Sequence, residues 1–253
     1  MNPHLPSDSP LPSALFHTDA LPTGTVRPSA EAPLPTDIHT HRLPEQAGSA
    51  VVTVDPTTGS GLPEHQRCSV GIHPWHTDGD WERTGMPRVE RLAGEDRVVA
   101  IGECGLDKVW LKRLPAGERD GAFRRQTEAF EAHIRLSEAT GKPLIIHCVR
   151  AYNELVLLHR KHRPRQTWVV HGFRGNRSVA RQLLDEGLSL SFGEHFQAEA
   201  LLATPDGRLF VETDESPKPL ADILAAVATA RGTDPEALVR VLENNYRRLH
   251  APR

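Results

Sequence analysis

The sequence predicts an α/β chain closed into one eight-stranded parallel barrel of the (β/α)8 TIM type, compact and irregular in its first three units. Three observations carry that expectation. The chain has 253 residues, and one full barrel takes about 250. Eight short apolar runs lie between residues 36 and 214, and in the second half they alternate with stretches of helical period, the pattern of parallel pairing through right-handed crossovers. Several runs are apolar at consecutive positions (Val98, Val99, Ala100, Ile101; Leu144, Ile145, Ile146; Trp168, Val169, Val170), as in strands buried on both faces.

Residues 1–35 are rich in Pro, Ser and Thr with neither helical nor strand period, so a flexible or irregularly wrapped tail is expected there and the barrel in residues 36–253. Strands are expected at residues 36–41, 49–55, 68–73, 97–103, 143–149, 167–171, 188–192 and 209–214. A helix is expected at residues 121–140, where Phe123, Phe130 and Ile134 follow near-helical spacing and Gly141 and Pro143 supply the stop. Further helices are expected at residues 150–160, 178–186, 217–230 and 234–249, the last opened by Asp234-Pro235-Glu236 in N-cap and first-turn positions. Between Thr36 and His73 there is little room for helices, so two crossovers are expected to be loops or single turns.

Lysine and arginine number 30 against 33 aspartates and glutamates, a formal net charge of -3. That lacks the basic excess of a protein that coats nucleic acid, so any nucleic-acid contact is expected to be local, a substrate held at a site. Cys68, Cys104 and Cys148 are odd in number and widely spaced, poor material for a disulfide framework and suited to a reducing compartment. No run approaches the roughly 18 to 20 apolar residues of a membrane span. The first residues show no basic region followed by an apolar one. The expectation is a cytoplasmic protein without membrane attachment or an evident obligate protein partner.

Polar residues interrupt the apolar pattern at the C-terminal ends of the expected strands. They are Asp37-Ile38-His39-Thr40-His41, Ile72-His73-Pro74, Gly102-Glu103-Cys104-Gly105, Ile146-His147-Cys148, Val170-His171-Gly172 and Glu212-Thr213-Asp214. In a parallel barrel those ends converge on one face, where active sites are built. His39 and His41, two apart on a strand, point to one side, so both imidazoles can reach one cation. Glu103 alone reads as a loop residue or half of an ion pair; beside histidines on neighbouring strands, its two oxygens can serve one cation each. His147 and His171 end nearly pure apolar runs, and a buried imidazole is costly unless a hydrogen bond or a metal satisfies its nitrogens. Asp214 can ligate a cation and accept a proton from water, or cap a helix that Asp214, Glu215, Ser216 and Pro217 would start well. This donor set suits Zn²⁺, Mn²⁺ or Mg²⁺, and two such cations make phosphoester hydrolysis the natural chemistry.

These segments, with Gly71 before Ile72, Leu106-Asp107 after Gly105, Phe173 after Gly172 and the closing Asn245-Tyr246-Arg247-Arg248-Leu249, resemble in order the signature segments of the TatD-type metal-dependent hydrolases. The resemblance covers the chain from about Thr36 to the end. It implies a TIM barrel with a dinuclear site and, in family members, deoxyribonuclease activity, often as a 3′ to 5′ exonuclease. Carried over by position, it implies that His39, His41, Glu103 and Asp214 hold one metal and Glu103, His147 and His171 the other. By the same mapping His73 helps to bind the scissile phosphate. Three departures are visible, one being that the loops after the first two expected strands are short. The family continues after the His147 position with a small residue, Arg and Asp, whereas Cys148, Val149 and Arg150 follow here; and Glu215-Ser216-Pro217 is one residue longer than the family's small residue and proline.

The function expected is a metal-dependent phosphodiesterase or deoxyribonuclease acting on DNA ends or oligonucleotides, with Asp214, Glu103 and His73 catalytic and His73, Arg150 and Arg174 contacting substrate. Arg174, Arg177 and Arg181 can steer a phosphate backbone or form a solvated helix face. Trp75, Trp110 and Phe173 can stack on bases or pack against the rim. Two alternatives stand beside this: an amidohydrolase-like hydrolase of a small ester, amide or lactone, disfavoured because no lysine falls at the end of an expected strand, and a non-catalytic metal-binding barrel.

Overall fold

Eight strands close into a barrel in which each pairs in parallel with the next and the last returns to the first. They are β1 (Asp37–Thr40), β2 (Ala50–Val54), β3 (Arg67–Val70), β4 (Val98–Asp107), β5 (Leu144–Val149), β6 (Trp168–Val170), β7 (Ser189–Phe192) and β8 (Leu209–Val211). The computed structural model describes residues 36–251, and the tail expected over residues 1–35 lies outside them. Around the barrel run α1 (Met86–Ala93), α2 (Arg119–Thr140), α3 (Tyr152–His162), α4 (Arg177–Asp185), α5 (Ala198–Ala203), α6 (Leu220–Arg231) and α7 (Pro235–Leu249). None of these helices is long and apolar enough to cross a membrane.

Two apolar layers account for the packing. Leu144 and Ile146 of β5 and Trp168 and Val170 of β6 face the helices, in a cluster that includes Phe130 and Ile134 of α2 and Leu155 of α3. Their alternate neighbours Ile145 and Val169 join Ile38, Ala100 and Phe210 in a second cluster, inside the barrel, which Tyr246 and Leu249 of α7 complete. Because side chains alternate along a strand, His147 and His171 lie on the same inward side as Ile145 and Val169, two positions further toward the mouth.

The first two crossovers carry no α-helix; the second holds only the 3-10 turn Pro56–Thr58. Helices α1 and α5 are additions to the sequence reading. Each is short, eight and six residues, so its apolar stripe spans too few turns to stand out from a loop. The helix expected from residue 217 begins at Leu220, after Pro217 and Pro219. Strand β4 runs four residues past Glu103, where the sequence reading ended it. Gly, Glu and Asp are poor strand formers, but here the pairing of Cys104, Gly105, Leu106 and Asp107 with β5 overrides propensity. Gly102 and Gly105 make that approach possible: at φ 135° and 142°, a Cβ on either would meet the carbonyl oxygen of Ile145 at 2.3 Å or of His147 at 2.0 Å.

Two polar residues on the buried stripe of α2 hold the backbone beneath the barrel mouth. Gln126 Oε1 accepts the Asp107 amide at 2.9 Å. His133 Nε2 accepts the Ile72 amide at 3.0 Å, so the ring proton sits on Nδ1 and is donated to the Ala129 carbonyl at 2.7 Å. Burial pushes this imidazole down from 6.5 to about 4. The unfolded chain therefore takes up the proton first on acidification, and the stability His133 contributes is fully present above pH 6.5 and lost as pH falls toward 4. The loss reaches about 3 kcal/mol. His133→Gln is expected to lose correspondingly less stability than the wild type across that window, a difference that urea denaturation at its two ends measures directly.

Candidate metal centre

Strand geometry delivers all six expected ligands to one point above the inner apolar layer. His39 lies in β1, Glu103 in β4 and His147 in β5; His41, His171 and Asp214 lie just beyond the ends of β1, β6 and β8. Glu103 is at the centre. Its Oε2 is 3.5 Å from His39 Nε2 and 3.4 Å from His41 Nε2. Its Oε1 is 2.9 Å from His147 Nδ1, 2.8 Å from His171 Nε2 and 3.2 Å from His73 Nε2. Asp214 Oδ1 closes the first side, 3.8 Å from His39 Nε2 and 3.5 Å from His41 Nε2. Donor atoms within 4.8 Å of one another come from His39, His41 and Asp214, from His39, Glu103 and His171, and from His73, Glu103 and His147.

Electrostatics tests whether this donor set fits a cation. Glu103 is 5% exposed. Burial pushes its carboxyl up, but the charge of His171 and hydrogen bonds from His147 and His171 outweigh burial and hold it well below the usual carboxylate range. Burial likewise pulls His171 down, and Glu103 and Glu212 overcome that and lift it well above the ordinary imidazole value. The cluster therefore demands positive charge, which protons or a cation can supply. His39 discriminates: both its ring nitrogens are buried without a hydrogen-bond partner, an arrangement that proteins avoid, and coordination would satisfy Nε2, the nitrogen that faces Glu103 and Asp214. The residues present fit a divalent cation.

Carboxylates behind the imidazoles fix their orientation. Asp107 Oδ2 accepts His147 Nε2–H at 3.3 Å and the Trp75 indole N–H at 2.7 Å, while Oδ1 accepts the amides of Val109 and Trp110 at 2.8 and 2.9 Å. Glu212 Oε1 accepts His171 Nδ1–H at 3.3 Å and the Gly172 amide at 2.5 Å. Asp37 meets no imidazole nitrogen; it accepts the amides of His39 and Thr213 at 3.3 and 3.1 Å and the Thr213 hydroxyl at 2.7 Å, and so holds the His39 backbone. A carboxylate behind a histidine ligand selects which nitrogen faces the metal. All three residues stand inside the sequence segments already singled out, but which side chain meets which imidazole depends on pairing between strands distant in sequence.

Several expectations are corrected. Asp214 does not cap the following helix, whose N-cap is Pro219; its amide donates to the His39 carbonyl at 3.0 Å and its carbonyl accepts the His41 amide at 3.3 Å, tying it to β1 instead. Glu103 is not at a strand end but inside β4. With β4 extended, Lys108 does follow a strand end; its amine is taken by Glu154 and lies 5.1 Å from the Phe123 ring centroid, so the engaged amine does not restore a lysine-bridged metal pair.

An open cleft of about 1160 Å³ lies over the centre, and Arg150, Arg174 and Trp75 line it. Arg150 takes φ 57°, the left-handed turn by which the chain leaves β5 for α3. Arg177, Arg181 and Trp110 do not line this cleft, and Phe173 is buried against Tyr152 and Phe192, unavailable for stacking on a base.

Comparison with known proteins agrees with this geometry. Residues 57–251 match the family described as TatD related DNase. A Mycobacterium tuberculosis (strain ATCC 25618 / H37Rv) protein named an uncharacterized metal-dependent hydrolase TatD is 32% identical over 204 residues, 72% of this chain and 75% of that one. A Musicola paradisiaca (strain Ech703) protein named 3'-5' ssDNA/RNA exonuclease TatD is 31% identical over 215 residues, 75% of this chain and 78% of that one. Among solved structures, YJJV, a TatD homolog from Escherichia coli K12, superposes with a TM-score of 0.68 at 18% identity, covering 87% of this chain and 98% of that one. A hydrolase TatD family protein from Entamoeba histolytica gives a TM-score of 0.62 at 17% identity, covering 81% and 85%. With its closed parallel barrel and a family match spanning most of its length, the chain belongs to the TatD-related DNase family.

Proposed function

We propose that this chain hydrolyses phosphodiester bonds at the ends of nucleic-acid strands, using two divalent cations (Zn²⁺, Mn²⁺ or Mg²⁺). The division of Glu103 carries the proposal: one oxygen faces His39 and His41, the other His147 and His171. One cation would be held by His39, His41, Glu103 and Asp214, the other by Glu103, His147 and His171. Relatives named 3'-5' ssDNA/RNA exonuclease support the choice of substrate.

Such a pair, when bound, would polarise a phosphoryl oxygen, lower the pKa of a bound water and offset the charge on the leaving oxygen. The side chains do the rest. Asp214, 27% exposed at its side chain, opens onto the cleft and takes the proton of the attacking water. His73 Nδ1 accepts the Trp75 amide at 3.2 Å, which leaves the proton on Nε2, the atom that faces the centre. From there it donates to a non-bridging phosphate oxygen. Arg150 and Arg174 attract the rest of the backbone along the cleft wall.

The decisive experiment compares single-stranded oligonucleotide, a chromogenic phosphodiester and a lactone, each with and without added cation. Glu103→Ala is expected to lower kcat on the phosphodiesters by on the order of 10³-fold; turnover of the lactone alone would sink the reading. Mn²⁺ at about 100 times its Kd should stabilise the metal-free protein by about 2.7 kcal/mol, raising its melting midpoint, and Glu103→Gln should abolish that rise. In Asp107→Asn the amides of Val109 and Trp110 hold the remaining oxygen and the NH2 group replaces the acceptor facing His147, so calorimetric titration should show cation affinity at one of two sites lowered about 10-fold or more. Unchanged affinity at both sites would show that His147 needs no such support.

A further inference from the structure

We propose that His76, braced by Asp55, is an anion contact on the cleft rim that receives the substrate phosphate one nucleotide away from the scissile one. The inference rests on the phosphodiesterase reading above and adds a specificity-determining residue to it.

His76 ends the 3-10 turn Pro74–His76 that follows β3, and Asp55 follows β2 directly. The Asp55 carboxylate is fully engaged. Its Oδ1 accepts the amide and hydroxyl of Thr57 at 2.8 and 2.5 Å, and its Oδ2 accepts the His73 amide at 2.9 Å and His76 Nδ1–H at 2.7 Å. One carboxylate thus fixes both the backbone of His73 and the ring of His76, whose centroids stand 5.8 Å apart. With the proton held on Nδ1 toward Asp55, Nε2 is the ring atom left for a ligand, and among the described residues it has no hydrogen-bond partner. The His76 side chain is 42% exposed and lines the same cleft as Glu103 and His73.

The distribution of charge around the cleft gives this imidazole its use. The lysine and arginines that line it, Lys108, Arg150 and Arg174, come from the segments after β4, β5 and β6. The wall after β2 and β3 has neither; its cation is His76. The hydrogen bond to Asp55 lifts this imidazole above its ordinary value, against a smaller opposing effect of burial, and so favours the charged form. A strand crossing the centre meets Arg150 and Arg174 on one side and His76 on the other, and an imidazolium N–H to a phosphate oxygen is a charge-assisted hydrogen bond.

The test uses the full chain loaded with Mn²⁺ and three thymidine dinucleotides: one without a terminal phosphate, one phosphorylated at the 5′ end and one at the 3′ end. The wild type is expected to show a kcat/KM about tenfold higher for one phosphorylated form than for the unphosphorylated one. His76→Ala should erase that preference and His76→Arg, which keeps a cation at the rim, should retain most of it. A folding defect would lower turnover of all three substrates and is read separately by melting, whereas the preference is a ratio within each variant. Equal rates on all three substrates in the wild type, or the same preference in His76→Ala, would overturn the assignment. Failure of the wild type to cleave any dinucleotide or longer oligonucleotide would instead remove the phosphodiesterase reading, and this inference with it.

Discussion

A carboxylate buried in the middle of a parallel strand must find positive charge within a few ångströms, because an unpaired ion there costs several kcal/mol. Glu103 meets that demand from both sides of the barrel: His147 is on the neighbouring strand β5, but His39 and His41 come from β1 and His171 from the end of β6. Only a closed sheet can do this. In an open one, β4 would reach β3 and β5 alone. Closure therefore does two jobs, removing the sheet edges and folding distant strand ends over a single acid. The close approach of β4 to β5 at Gly102 and Gly105 is part of the same constraint, since it sets how far the Glu103 carboxylate projects into the mouth.

Charge alternates outward from that centre. Glu103 is surrounded by imidazoles, and behind two of them stand Asp107 and Glu212, each accepting the nitrogen that points away from Glu103. Those two rings are each gripped from two sides, which fixes their orientation as coordination requires. Asp37 works differently. Its neighbours are amides and a hydroxyl rather than imidazole nitrogens, and burial lifts it to about 7. It joins β1 to the segment after β8, and so sets His39 and Asp214 relative to each other across the seam where the barrel closes.

The strands were legible because a strand buried on both faces leaves a run of apolar residues with few interruptions, and the interruptions at the mouth marked the side chains that gather around Glu103. What escaped the sequence had a different physical basis. The last four residues of β4 are held as strand by their partner on β5, not by their own preference. Asp107, Glu212, Asp55 and His133 act through contacts between segments 40 or more residues apart, or, for Asp55 with His73 and His76, about 20 apart, so no local spacing announces them. His76 shows the limit most plainly: in the sequence it is a polar residue in a turn, and only the carboxylate arriving from β2 gives its ring a direction.

Substrate attraction poses a problem that overall charge does not solve. The chain carries a net charge of -3, and the cleft itself presents Asp55, Glu103, Glu154, Asp214 and Glu215. Two of its cations are already committed, Lys108 to Glu154 and His76, through Nδ1, to Asp55. Left to these groups alone, a phosphate approaching Glu103 and Asp214 would meet repulsion at short range, where screening by salt is weakest. The four added charges of the proposed pair of divalent cations would reverse that sign locally. The same donor set that suits the chemistry is thus also what would make an acidic cleft receptive to an anion, with Arg150, Arg174 and His76 left to choose how the strand lies across it.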